Sequence, residues 1–326
     1  MSSTVSESTF RSRLDRARTE MARTGVDALI LSLGHDLPYL TGYLAMPLER
    51  LTMLVVPREG DASLIIPRLE APRVTEMPSV FSLATWNETD DPVALAHKLL
   101  GSARTIAVGD QMWSRFLVDL LKFRPDAKYV RSVVVMEALR SRKDAAEIAA
   151  LVAAGAAADR VAAQLHAGDI PLVGRTEAQV SADISARLLA EGHQVVNFAI
   201  VAAGENAASP HHHAGDRVIK HGEIVLCDFG GTMNDYCSDI TRCVHIGEPP
   251  SDIAEAYSVL FESQAAGVAA GIIGSSCAGV DAASRGVIDA AGFGEWFVHR
   301  TGHGIGMEAH EDPYMVAGND TPIAVG

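Results

Sequence analysis

The chain has 326 residues, long enough for two domains, with 48% hydrophobic and 21% charged side chains; this ordinary globular mixture excludes the collagen-like, coiled-coil and disordered classes. Its formal net charge of −14 argues against nucleic acid as a partner, because phosphate binding requires a basic face. The opening MSSTVSESTF lacks the basic stretch and apolar run of a secretory leader, and the four cysteines show no CxxC spacing, so reduced thiols in a cytoplasmic protein are expected.

Residues 10–24 carry helical spacing of apolar positions, and the runs at 28–32, 51–56, 62–66 and 105–108 read as strands of an α/β domain. At 139–168 the texture changes to LRSRKDAAEIAALVAAGAAADRVAAQLHAG, which is Ala-rich and free of proline. This predicts one or two long helices, with Gly155 as the candidate interruption. It also marks a boundary between a domain over 1–140 and another over 141–326. Interspersed charges and the lack of heptads favour packing in a core over a bilayer or a coiled coil. A helix over 176–191 begins on Thr-Glu and ends at Gly192. Strands are predicted at 195–202, 224–229 and 236–246, and helices at 252–270 and 280–291. The expected fold is mixed α/β (α+β).

The segment EIVLCDFGGTMNDYCSDITRCVHIG, residues 223–247, has two apolar runs around a turn rich in Gly, Asn and Asp, and reads as a β-hairpin. Asp228 lies inside the first apolar run and Asp239 on the second strand. Burying such a carboxylate is costly unless it is paired or bound to a cation, and two of them repel if both are ionised. A divalent metal answers both problems. RTGHGIGMEAHEDPY, residues 300–314, places glycines around His303, allowing close backbone approach to a ligand. Imidazole with carboxylate suits Mn, Co, Fe or Zn. His310 is placed to hydrogen-bond a substrate or a developing oxyanion. No second histidine completes an HExxH motif around Glu311. SPHHHAGDR, residues 209–217, contains three adjacent histidines; one is free to face a site while its neighbours are solvated.

In this order, the aspartates eleven residues apart, TGHGIG and HEDPY closely resemble the pita-bread metallopeptidases, the group of methionine aminopeptidase, aminopeptidase P and prolidase. VLCDFGG, YCSDITR and the preceding PH resemble the Xaa-Pro branch. DLPYLTGY, residues 36–43, resembles the small N-terminal domain shared by prolidase, aminopeptidase P and creatinase. The resemblance implies a creatinase-like domain over 1–140 and a pita-bread catalytic domain over 141–326. It implies two divalent metals, manganese foremost, with Co, Zn or Fe as alternatives. Asp228 would bind one metal, Asp239 would bridge both and His303 would bind the second. His211 would be the catalytic histidine on the substrate side, His310 the one steadying the tetrahedral intermediate, and Thr241 the partner orienting a ligand carboxylate. The implied function is hydrolysis of Xaa-Pro bonds in short proline-containing peptides, by water activated at a dinuclear site. The enzyme would be a prolidase-like dipeptidase, with aminopeptidase P as the alternative, and a homodimer.

The family pattern also has two glutamate ligands, in motifs like SIEPGIY and RIED after the TGHG segment. By spacing the first falls past Gly326, and Glu308, Glu311 and Asp312 do not match either position. The resemblance therefore implies a pita-bread domain given without its last strands, a C-terminally truncated chain expected to be inactive by itself. Two readings of other classes remain. A creatinase-like C–N hydrolase without metal has no need of two opposed carboxylates. A non-catalytic pita-bread binding protein has no need of three metal-ligand positions.

Overall fold

A computed structural model describes residues 5–326. The first four residues, part of the opening stretch read above for a leader, lie outside the described residues. The chain divides into two compact units, Met1–Arg140 and Ser141–Gly326.

In the first unit, α1 (Glu7–Thr24) starts where Ser6 accepts from the Thr9 N–H and stops at Gly25 in the left-handed region. The rest runs β1 (Ala28–Leu31), α2 (Asp36–Thr41), β2 (Met53–Pro57), β3 (Ala62–Pro67), β4 (Phe81–Trp86), α3 (Pro92–Leu99), β5 (Thr105–Val108), α4 (Ser114–Phe123), β6 (Lys128–Arg131) and α5 (Val133–Arg140). The strands form one mixed sheet in the order β4-β3-β2-β1-β5-β6. Every residue of β1 is buried, as expected for a central strand covered on both faces. Ile30, Met53, Val55 and Ile106 pack with Val93 and Ala96 of α3 and with Phe116 and Leu120 of α4. Sequence pattern alone misses β4 and β6. In β4 only the two end residues are buried, and β6 has no buried residue, so neither carries an apolar signal.

The second unit opens with α6 (Ala145–Ala167), whose N-terminus is closed by a reciprocal capping box of Asp144 and Glu147. The helix runs unbroken through Gly155, correcting the expected interruption; its flanking alanines hold the helical conformation across one glycine. By length and composition α6 is apolar enough to cross a membrane. Here Ala154, Ala157, Ala158, Val161, Ala162 and Leu165 form one buried face, at helical spacing. Then come α7 (Glu177–Ala190), β7 (Val195–Ala203), β8 (Ile224–Met233), β9 (Tyr236–Cys237), β10 (Ile240–His245), α8 (Ser251–Ala270), α9 (Cys277–Ala290), β11 (Gly302–Gly304) and β12 (Glu311–Met315). The main sheet has the order β10-β8-β7, with β9 also paired to β8, and β11–β12 form a separate ribbon.

Alternation along β8 sets up the site. Val225, Cys227 and Phe229 are fully buried against α6 and α7. Because strand side chains alternate faces, Asp228 must point away from those helices. Thr241 of β10 stands directly opposite Asp228 in the antiparallel register, so its side chain shares that face.

Beyond the histidine run, Arg217 bonds both Glu205, at 2.9 Å, and Glu223, at 2.8 and 3.0 Å. These contacts hold the Glu223 carboxyl down at about 2. A depressed carboxylate stabilises the fold above its unfolded value, and the contribution is lost as pH falls from about 4.5 towards 2. Glu223→Gln is expected to cost about 1–2 kcal/mol at pH 6. In denaturant titrations the gap between the variant and the parent should narrow by more than half at pH 3; a gap independent of pH would refute the assignment.

Candidate metal centre

The hairpin turns at Asn234 and Asp235, both at positive φ (50° and 68°), the signature of a two-residue type I′ turn. The second strand is not continuous. Ser238 and Asp239 fall between β9 and β10, correcting the expectation that Asp239 lies on a strand. The break comes from packing. Ser238 is buried and its Oγ accepts from the Gly231 N–H at 3.2 Å. At Gly230 an added Cβ would lie 2.0 Å from the Ser238 carbonyl oxygen, so only glycine lets the chains approach this closely. Behind Ser238 stands His193, 3% exposed. Its Nδ1 is 3.1 Å from the Leu188 carbonyl and its Nε2 is 2.9 Å from Ser238 Oγ. A carbonyl only accepts, so Nδ1 carries the proton and Nε2 accepts from the serine hydroxyl. Burial first of all lowers the His193 pKa, keeping the ring neutral in this role.

The bend brings Asp239 to the β11–β12 ribbon. That ribbon is tied to β9 by the Cys237 N–H donating to the Gly306 carbonyl at 2.8 Å. His303 Nε2 lies 3.6 Å from Asp239 Oδ2, too far for a hydrogen bond. His303 Nδ1 is 2.9 Å from the Gly304 carbonyl and must be the donor there, so in the neutral ring Nε2 presents its lone pair to the carboxylate. The ring of His310 lies against His303 at 4.1 Å between centroids, tilted by 35°. A Cβ at Gly304 would lie 2.6 Å from the Asp312 carbonyl oxygen, so neighbouring backbone by itself excludes a side chain there.

Electrostatics complete the picture. Asp228 is pushed up to about 6, first by burial and then by the charge of Asp239; a hydrogen bond from Thr241 and the proximity of His211 and His303 oppose the shift. Asp239 is raised by burial, with His303 and His310 opposing. Burial lowers His310, and the proximity of His303 adds to this. All six residues singled out in the sequence thus belong to one neighbourhood. Asp228 Oδ1 is buried and has no hydrogen-bond partner.

Among the described residues, no three His, Cys, Asp or Glu side chains already converge as a metal cage. The chemistry of the set nonetheless fits a cation. One buried carboxylate oxygen lacks a partner, one imidazole turns a lone pair towards a second carboxylate, and the remaining bonds of both groups orient them. Glu311 is not available as a substitute: it is buried, pairs with Lys143 at 3.1 Å and accepts from the Glu308 N–H. Of the three adjacent histidines, His211 and His213 are exposed, whereas His212 is half-buried, with Nε2 2.7 Å from Glu177. Among the buried acids that escaped sequence reasoning are Glu177 and Asp281. Asp281 accepts from the Thr301 hydroxyl at 2.6 Å and pairs with Arg285, which pins the chain just ahead of His303. Both acids lie in helices, where a charged residue reads as solvated; only tertiary packing reveals them as buried.

The pattern of metallopeptidase family M24 matches residues 143–326, and that of the Creatinase/Prolidase N-terminal domain matches residues 13–142. The chain belongs to metallopeptidase family M24. Among its M24 relatives, the probable dipeptidase PepE of Mycobacterium tuberculosis (strain ATCC 25618 / H37Rv) is 42% identical over 325 residues, covering 97% of this chain and 85% of the relative. The crystal structure of dipeptidase PepE from Mycobacterium ulcerans aligns with a TM-score of 0.92 at 42% identity, covering 98% of this chain and 86% of that one. A recombinant prolidase from Thermococcus sibiricus aligns with a TM-score of 0.89 at 29% identity, covering 96% and 86%. The M24 unit is therefore a pita-bread domain preceded by a creatinase-like one, as the motifs implied, and the chain is of the peptidase type within the hydrolases.

Proposed function

We propose that this M24 protein is a prolidase-like dipeptidase that hydrolyses Xaa-Pro dipeptides. The observation that carries the reading is the buried, partnerless Oδ1 of Asp228, set beside Asp239 and His303 in a fold shared with dipeptidases. Asp228, Asp239 and His303 would hold divalent metal, with Thr241 orienting the Asp228 carboxylate. When bound, the metals supply Lewis acidity that activates water near neutral pH. The chain's own residues do the rest. His310, whose pKa is lowered by partial desolvation and the nearby His303, offers an N–H to the oxygen that becomes negative as the carbonyl turns tetrahedral. His211 faces the same cluster from the substrate side. A proline nitrogen has no N–H to bond, so recognition falls on the ring's shape and the dipeptide's charged ends. Family membership is also the basis on which we propose manganese as the preferred metal, a homodimer and a cytoplasmic location.

The test is hydrolysis of Xaa-Pro dipeptides by the full natural chain after chelation and readdition of metal. Mn²⁺ or Co²⁺ is expected to raise the rate at least about tenfold over the chelated protein. Undiminished hydrolysis after chelation would sink the metal reading. Faster cleavage of an Xaa-Pro-Yaa tripeptide than of the dipeptide would move the assignment to an aminopeptidase.

A further inference from the structure

Glu177 begins α7 and is 0% exposed, the most buried acid among the described residues outside the metal centre. Its carboxylate gathers four donors. Oε1 accepts from the Ala203 N–H at 2.8 Å and from Asn206 Nδ2 at 3.0 Å. Oε2 accepts from His212 Nε2 at 2.7 Å and, more weakly, from the Gly215 N–H at 3.5 Å. These partners come from the end of β7, from the 3-10 turn Gly204–Ala208 and from the histidine segment. The backbone of the same helix start reinforces them: the N–H groups of Glu177 and Ala178 donate to the carbonyls of Arg217 and Gly215, both at 3.0 Å. Both ends of the segment 203–217 are therefore fastened to one side chain and its helix turn, and His211 lies between the fastenings.

Every partner of Glu177 is a donor, so the position requires a group that accepts at both oxygens. Only an ionised carboxylate does this; an amide must turn its NH₂ towards donors on one side or the other. Burial works against the charge, but the hydrogen bonds prevail and the pKa is lowered. The position at the start of a helix also favours an anion. A carboxylate buried this deeply and satisfied by a strand end and the loop that follows it is costly to keep unless the loop's conformation matters.

We infer that Glu177 is a positioning residue of the peptidase, holding the 203–215 segment so that His211 faces the metal centre. The inference rests on the function proposed above, but the positioning itself can be read without activity. In the full natural chain, Glu177→Gln is expected to raise amide hydrogen exchange across 203–215 and leave the hairpin 224–245 unchanged. The same variant should lower kcat about 10- to 100-fold, the scale of a displaced positioning group, while Mn²⁺ affinity by calorimetry stays within about twofold of the parent. In a His211→Ala background, Glu177→Gln should cost less than about twofold, because the residue acts through His211. Glu177→Asp, which keeps two accepting oxygens on a shorter arm, should recover part of the loss and serves as the folded comparison if the glutamine variant does not accumulate. Unchanged exchange over 203–215, or losses that multiply in the double variant, would overturn the assignment. If the parent fails to cleave Xaa-Pro dipeptides, the proposed function falls, and the exchange measurement still decides whether Glu177 holds the segment.

Discussion

Asp228→Asn is expected to make the metal-free protein more stable while abolishing its divalent metal binding and peptidase activity. The Asp228 carboxyl titrates at about 6 because it is buried and lies beside Asp239. A carboxyl whose pKa is raised on folding penalises the fold in its ionised form. That penalty is absent below the unfolded value of about 4, grows between about 4 and 6, and is complete above 6. Two pH units correspond to at most about 3 kcal/mol, and relaxation of the site reduces this to about 1–2 kcal/mol. Asparagine keeps the oxygen that meets the Thr241 hydroxyl and removes the charge that repels Asp239. Thermal melts in chelator at pH 7.5 should place the variant about 3–8 °C above the parent, with the difference vanishing near pH 4. Saturating Mn²⁺ should reverse the order, because only the parent gains stability by binding. A variant less stable than the parent in chelator at pH 7.5 would refute this account of Asp228.

Asp239→Ala and His310→Ala are expected to abolish or cripple hydrolysis for different reasons, and metal affinity tells them apart. Asp239 opposes His303 across 3.6 Å, lone pair to carboxylate, a geometry that makes sense with a cation between them. Its removal should weaken metal binding by more than the ~10–100-fold cost of losing an outer orienting partner, taking activity with it. The His310 ring lies tilted against His303, and the residue is exposed. Its removal should lower kcat by about 10²–10³ as an oxyanion donor is lost, with Mn²⁺ affinity little changed. Calorimetry on the two variants beside steady-state kinetics makes the comparison. Equal losses of metal affinity would place His310 among the ligands and remove its proposed role.

The reach of sequence reasoning followed how each feature is encoded. Helices and strands with a one-sided apolar pattern, such as α1, α7 and β8, were legible because burial of one face imposes a period that survives in the linear order, and β1 because a strand buried on both faces stays apolar throughout. β4 and β6, at the edges of their sheet, lacked that imprint. The site's six residues stood out because carboxylates and imidazoles inside apolar or glycine-rich runs conflict with their surroundings. Their second layer did not. Glu177 and Asp281 sit in helical stretches where an acid is unremarkable, and His193 follows a helix-ending glycine as an ordinary loop residue would.

The sequence by itself supplied the two-part α/β organisation, the M24 motifs and the candidates for metal ligation. It could do so because ligand chemistry depends on residue type, and motif order is kept along the chain. Only the tertiary structure decided that Asp239 leaves its strand, that Ser238 and His193 hold the bend, that Gly304 makes room for backbone, and that Glu177 fastens the histidine segment. Those are contacts between segments far apart in the chain, created when burial leaves each polar group to find its partner. A linear pattern records that a group is polar, but its partner is settled only when the chain has packed.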